Sequence, residues 1–299
     1  MHINSLSISD HNMLEFGDGA LSVVLKGSKL EGSAIDAGIP ARKVECKPNA
    51  KAVEEDDAAI GFFCLLTSNL PDLISIVVPV YNEARTVAEV IDRLLVIELP
   101  APREILVVND GSTDGTREVL DQLPVRPELR IIHAAKNSGK GSAIRTGFAL
   151  ATGTIVAIQD ADLELDPAQL AVLVQPILDG RTQVVYGSRF LAGRPDAPWL
   201  SILANQVLTS VTNLLFGGQL TDMETCYKLM TTEVARGLRL ECNRFDIEPE
   251  ISAKLLRDGH SILELPVRFE PRSRAQGKKI GWRDGVRAIE VLIKYRVSR

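Results

Sequence analysis

From Leu73 onward the chain alternates short apolar runs with segments whose apolar positions recur at helical spacing. Ile74-Ser-Ile-Val-Val-Pro-Val80 is almost continuously apolar, the pattern of a parallel strand covered on both faces. Val87, Val90, Ile91, Leu94 and Leu95 then share one stripe of a helix spanning 84–97. The order repeats: a strand at Glu104–Asn109, a helix over 113–122, a strand at Arg130–His133, and a helix over 140–151. A strand at Thr154–Gln159, a helix from Pro167 to Leu178 and a strand at Gln183–Tyr186 follow. Pro167 suits a first helical turn, where its missing N–H costs nothing. Strand–helix alternation with short connections predicts an α/β fold, a Rossmann-like, mostly parallel sheet with helices on both faces. Ligands in such sheets bind beyond the carboxyl ends of the strands.

Residues 1–70 have a different character, rich in Gly, Ser and Asp, with one alternating patch at Leu21–Leu25 and an acidic run at Glu54–Asp57. Ala37-Gly-Ile-Pro-Ala-Arg-Lys-Val44 resembles the closing turn of hexapeptide-repeat acyltransferases. Two or three repeat turns at most fit upstream, too few for a solenoid to stand alone. The expected division is a short N-terminal extension at 1–70 and one α/β domain at 73–299.

Composition narrows the partners. With 45% hydrophobic and 24% charged residues the chain is an ordinary globular one. A formal net charge of −5 gives no reason to expect nucleic acid. The four cysteines lie far apart without a Cys-x-x-Cys pair, which favours free thiols in a reducing compartment over structural zinc. No basic region followed by an apolar one marks a signal peptide at the start. Residues 197–221 carry no charge but hold too many polar side chains for an expected span. Within them Leu200, Leu203, Val207, Val211 and Leu214 share a stripe, which fits either a buried helix or an interfacial one meeting lipid.

Four polar clusters follow four of the strands: Val80-Tyr-Asn-Glu83, Asn109 to Thr116, Gln159 to Glu164, and Gly187-Ser-Arg189. One cluster alone would read as a turn, and Asp110 to Asp114 also reads as a helix start capped by Ser112 or Thr113. Four on one sheet edge point to a site. Asp160 and Asp162 end a strand, and two acids that close repel unless a cation lies between them. Mg²⁺ and Mn²⁺ are bound by one or two carboxylates plus substrate phosphates, and Glu164 offers another oxygen. An acidic cluster ahead of the Pro167 helix is the plainer alternative. Lys140 sits in a Gly-rich turn, but the glycine that a nucleotide-triphosphate loop needs five residues before Gly139 is Ala134.

Val78-Pro-Val-Tyr-Asn-Glu83, Asp110-Gly-Ser-Thr-Asp-Gly-Thr116, Asn137-Ser-Gly-Lys-Gly141, Asp160-Ala-Asp162 and Gly187-Ser-Arg189 together resemble family 2 glycosyltransferases. More narrowly, their order is similar to that of polyprenyl- (dolichyl-) phosphate mannosyl- and glucosyltransferases, over residues 73–297. The resemblance implies a GT-A fold and an inverting transfer of a hexose from a UDP- or GDP-sugar to a polyprenyl phosphate, with Mg²⁺ or Mn²⁺. It implies that Pro79, Tyr81 and Glu83 line the nucleoside pocket, with Asp110 on the base or ribose and Asp160 near the ribose or diphosphate. Asp162 would bind metal, with Glu164 where relatives often carry Gln, and Arg189 would pair with phosphate, as guanidinium geometry suits.

On the acceptor side, Thr221 to Lys228 and Asn243 to Glu250 resemble motifs of the same enzymes, with Asp222 at an acceptor-site position. Glu248 and Glu250 read as loop anchors or as acids at a helix N-terminus. Arg272, Arg274, Lys278 and Lys279 outnumber nearby acids and suit a phosphate-binding lid, or else a solvated basic surface. A cytoplasmic enzyme at the cytoplasmic face of a membrane, in peripheral contact, is expected. A phosphate monoester, with a second pKa of about 6, attacks without a strong general base. A hydroxyl acceptor would require one, for which Asp222 is the candidate. A nucleotide-sugar-binding scaffold without catalysis is the third reading.

Overall fold

The computed structural model describes residues 72–271 and 282–297, together with the backbone of four short strands within 5–32. The chain divides into two compact units, Met1–Leu70 and Pro71–Arg299.

In the first unit β1 (Ser5–Ser9), β2 (Asn12–Gly17), β3 (Ala20–Leu25) and β4 (Ser28–Gly32) pair antiparallel in sequence order. Gly17 pairs with Ala20 and Leu25 with Ser28. The alternating patch at Leu21–Leu25 is β3. Residues 37–44 and 54–57 lie outside the described residues.

The second unit runs β5 (Ile74–Val80), α1 (Val87–Val96), β6 (Arg103–Asn109), α2 (Thr116–Asp121), β7 (Leu129–His133), α3 (Lys140–Leu150) and β8 (Ile155–Ile158). A 3-10 turn (Pro167–Gln169) leads into α4 (Leu170–Leu178), then β9 (Val184–Ser188), α5 (Trp199–Phe216), β10 (Lys228–Thr231) and α6 (Thr232–Gly237). α7 (Ile247–Arg257), β11 (Ile262–Pro266) and α8 (Trp282–Val297) complete it. The strands form one sheet in the order β11-β9-β10-β8-β5-β6-β7. All pairs are parallel except those of β10, which runs against both β8 and β9. The mostly parallel sheet is as expected, and the reversed strand β10 and the edge strand β11 are new.

Core residues of β5, β6, β8 and β9, including Ile76, Val77, Leu106, Val156 and Val185, are wholly buried. Each such side chain contributes roughly 1.5–3 kcal/mol relative to exposure. On one face α3 lies so close to β5 that a Cβ at Gly147 would meet Val77 Cγ1 at 2.2 Å. The chain leaves β5 for β6 and β7 on one side, then returns to place β8 on the other. The carboxyl ends of β5 and β8 therefore flank a topological switch point, where open α/β sheets bind ligands.

Candidate active site

The loops after β5 and β6 hold each other. The Asn82 amide donates to Ser112 Oγ (2.9 Å), the Thr113 amide to Asn82 Oδ1 (2.8 Å), and the Glu83 amide to Thr116 Oγ1 (2.9 Å). Asn82 takes φ 54°, a conformation asparagine tolerates. Ser112 and Thr113 thus serve the neighbouring loop and do not cap a helix; α2 begins only at Thr116, after Gly115 at φ 92°. For the same reason α1 starts at Val87, the first residue of its apolar stripe and three residues later than the expected start at 84. This interlock brings Pro79, half-buried Tyr81, buried Glu83 and Asp110 to one sheet edge.

Asp110 is buried, and its carboxylate accepts from the Ser138 (2.9 Å) and Gly139 (2.6 Å) amides. Burial pushes its pKa up, against the lowering effect of those two bonds. Asp110 therefore braces the Gly-rich turn. Gly139 takes φ 107°, and a Cβ there would lie 2.3 Å from the Asn243 carbonyl oxygen. That glycine is needed because the turn packs on protein backbone, so Lys140 points inward.

Lys140 Nζ meets Asp160 Oδ1 and Glu248 Oε1, each at 2.9 Å. Lys228, fully buried and 4.9 Å from the Tyr186 ring centre, meets Glu248 Oε2 at 2.5 Å and donates to the carbonyls of Met223 and Thr225. Burial alone would raise the pKa of Asp160, but the Lys140 charge and hydrogen bond outweigh it and hold the carboxyl below its usual range. The neighbouring Cys226 thiol is pushed well up by burial and by Asp160. Glu248 is thus a bridge between two lysines, more than an acid at the first turn of α7. Glu250 is a loop anchor: it accepts from the Glu241 and Cys242 amides and from the Tyr295 hydroxyl (2.6 Å), and pairs with Lys254.

Asp162 and Glu164 follow β8 and are half-buried. The Glu164 amide donates to Asp162 Oδ1 (3.1 Å), and Leu163 between them takes φ 62°, an uncommon backbone state for a side-chain-bearing residue. Two hard carboxylates in one turn fit the one-or-two-carboxylate mode of Mg²⁺ or Mn²⁺. Among the described residues no group of three or more His, Cys, Asp or Glu is placed to enclose an ion.

Arg189, at the end of β9, forms a fork with Asp222: Nε to Oδ2 and an Nη to Oδ1, both 2.7 Å. The Arg189 amide and Asn205 Nδ2 also donate to this carboxylate, which is fully buried. Burial would raise the Asp222 pKa, but the Arg189 bonds outweigh it and keep it below the ordinary carboxylate value. Asp222 is therefore saturated and holds Arg189 in place, a geometry unsuited to a general base. The guanidinium keeps N–H donors beyond the two it gives Asp222 and lies 5.2 Å from the Phe269 ring centre.

One residue of the site escaped the sequence reading. Glu224 lies in the loop between Asp222 and β10, and its buried Oε1 has no hydrogen-bond partner among the described residues. Burial, then the charge of Glu248, raises its pKa to about 7. The folded chain thus holds this proton more tightly than the unfolded chain, whose value is near 4.5. The resulting stabilisation is complete below that value and is lost as pH rises through about 7. Glu224→Gln, which never ionises, should gain on the parent by about 3 kcal/mol between pH 4 and pH 8. Thermal unfolding at both pH values measures this; a pH-independent gap would contradict it.

α5 is inside out. Its apolar Trp199, Leu200, Leu203, Val207 and Leu214 are 63%, 61%, 49%, 47% and 84% exposed, while Asn205, Thr209 and Thr212 are buried. The polar face is satisfied internally: Thr209 Oγ1 donates to Asn205 Oδ1 (3.0 Å) and accepts from the Met223 amide (3.1 Å). Most of the expected apolar stripe is therefore exposed, with Val211 half-buried and Ile202 and Leu208 buried on the inner side. A groove of about 670 Å³ opens beside it, lined by Phe190, Arg194, Trp199, Ile202, Leu203 and Gln206. Among the described residues, α5 is the one helix long and apolar enough to cross a membrane. Arg272, Arg274, Lys278 and Lys279 lie outside the described residues.

The family model for glycosyl transferase family 2 matches residues 75–238. The glycosyltransferase AglD of Haloferax volcanii is 30% identical over 67% of this chain and 33% of its own length. The dolichol-phosphate mannosyltransferase of Pyrococcus furiosus is 28% identical over 70% of this chain and 59% of its own. The chain thus spans less than two thirds of either relative. Among solved structures, glucosyl-3-phosphoglycerate synthase from Mycobacterium tuberculosis, in complex with Mn²⁺, UDP and phosphoglyceric acid, superposes with a TM-score of 0.60 at 20% identity. That likeness covers 76% of this chain and 80% of the other, and establishes the GT-A fold.

Proposed function

The chain belongs to glycosyl transferase family 2, and from that premise we propose that it moves a hexose from a UDP- or GDP-sugar to a polyprenyl phosphate with inversion. The observation that carries this choice of acceptor is the exposed apolar face of α5 beside Arg189. Asn205, on the inner face of α5, donates to the same Asp222 carboxylate that orients Arg189. A surface suited to lipid and a cation suited to phosphate are thereby joined through one side chain. A hydroxyl acceptor finds less support, since Asp222, its candidate base, is saturated.

In this mechanism a phosphate oxygen of the acceptor attacks the anomeric carbon while the bond from that carbon to the diphosphate oxygen breaks. The nucleoside diphosphate leaves with the electron pair, and a dianionic phosphate needs no proton removed. Pro79, Tyr81 and Glu83 would line the nucleoside pocket. Asp110 braces the turn that aims Lys140 at Asp160, fixing the sheet edge on which the diphosphate would lie. Arg189 would donate to phosphate through the N–H groups that Asp222 leaves. Asp162 and Glu164 would hold Mg²⁺ or Mn²⁺, which supplies neutralising charge to the departing diphosphate. Arg272, Arg274, Lys278 and Lys279 would add cations on the acceptor side. The setting is the cytoplasmic face of a membrane, with α5 in the interface.

Nucleoside diphosphate release tests the proposal, measured over a panel of nucleotide-sugars with Mg²⁺ or Mn²⁺, with and without a short polyprenyl phosphate. Release that requires the lipid phosphate supports it; release to water or sugar hydroxyls alone overturns the acceptor assignment. The double change Leu203→Asp and Val207→Asp should weaken binding to phospholipid vesicles at least about tenfold, given the area withdrawn from lipid. Both positions are exposed, so the melting temperature should stay close to the parent's. Unchanged vesicle binding would rule out this face.

A further inference from the structure

We propose that Glu224 receives a hydroxyl of the donor hexose and so reads the sugar. This inference rests on the proposed function and adds a residue to it. The loop carrying Glu224 enters β10, which runs antiparallel to β8 and β9. The start of β10 therefore lies at the sheet edge where β8 and β9 end, among Asp160, Asp162, Glu164 and Arg189.

The described cations near Glu224 are paired with other acids. Lys140 pairs with Asp160 and Glu248, Lys228 with Glu248, and Arg189 with Asp222. Each of these three cations is thus engaged by another carboxylate. The Oε1 of Glu224 is buried without a hydrogen-bond partner among the described residues, and a buried acceptor left unpaired is costly. Among the described residues no hydrogen bond from a cation reaches it. A phosphate would be repelled by it. The ligand that suits such a buried carboxylate oxygen is a neutral hydrogen-bond donor, and a hexose presents several hydroxyls next to the diphosphate. Only Met223 separates Glu224 from Asp222, so the group reading the sugar and the group orienting Arg189 sit on one short loop.

Equilibrium binding to the full chain in Mn²⁺ provides the test, with UDP, GDP, UDP-glucose and GDP-mannose as probes and Glu224→Ala and Glu224→Gln as variants. The parent should bind one of the nucleotide-sugars, and Glu224→Ala should weaken that affinity about tenfold or more. Affinity for the matching nucleoside diphosphate should stay within about twofold, as loss of a sugar contact requires. Glu224→Gln, which keeps one acceptor oxygen, should lose less than Glu224→Ala. Both variants should melt at or above the parent's temperature at pH 8, showing that they fold. Equal loss for nucleotide-sugar and nucleoside diphosphate, or no loss for either, would overturn the assignment while leaving the proposed function standing. Failure of the parent to bind any of the four would overturn the proposed function itself, and Glu224's role with it.

Discussion

Asp162→Ala is expected to cut nucleoside diphosphate release at least about a hundredfold, the scale seen when one charge-stabilising group is removed from a transition state. The fold should survive. Asp162 is half-buried, at the rim of the β8 edge, and its carboxylate's backbone contact is the Glu164 amide in the same turn. A melting temperature near the parent's, together with lost turnover, would assign the carboxylate to chemistry. Near-normal turnover would remove it from the metal site. Glu164→Gln should do less, because an amide oxygen still ligates a hard cation, though without charge.

The second large effect falls on stability. Asp222 is fully buried and takes four hydrogen bonds, two of them from the Arg189 guanidinium. Asp222→Ala leaves the Arg189 charge without its partner in a largely buried place, a change that costs about 3–5 kcal/mol in comparable pairs. Denaturant unfolding should show that loss, and activity should fall with it because Arg189 is no longer aimed. Asp222 as a general base predicts otherwise. Asp222→Asn would then keep its stability and lose turnover together with the acidic limb of the pH–rate profile. The pKa of Asp222, held below its ordinary value by Arg189, puts that limb outside the neutral range in any case.

The inner parallel strands were legible because they are covered on both faces and read as largely apolar runs, as in Ile74–Val80 and Ile105–Val108, whereas the half-buried edge strand β11 was not. β10 was not, because it is four residues long and opens on Lys228, a charge made tolerable by Glu248 twenty residues away. Lys140, Asp160 and Glu248 form one ionic group from three elements, and no local pattern announces a contact over such separations. The candidate site was legible as clusters at strand ends. What each side chain does was less so, since Asp110 and Asp222 look alike in sequence as acids beside glycine or threonine. Only the structure shows their oxygens filled by backbone amides and by Arg189. Periodicity located the apolar stripe of α5 but not its direction. Burial of Asn205, Thr209 and Thr212 turned that stripe outward, because these side chains find partners inside.

The central claim is that the sugar ends on a lipid phosphate. Its most direct measurement is to supply the chain with a nucleotide-hexose labelled in the sugar, Mn²⁺ and a short polyprenyl phosphate, and to follow the label between water and organic solvent. The account predicts that label enters the organic phase as a lipid-linked hexose phosphodiester, in step with nucleoside diphosphate release, and that Asp162→Ala prevents it. Label that stays in water as free sugar or as a soluble glycoside, while nucleoside diphosphate is released, would contradict it.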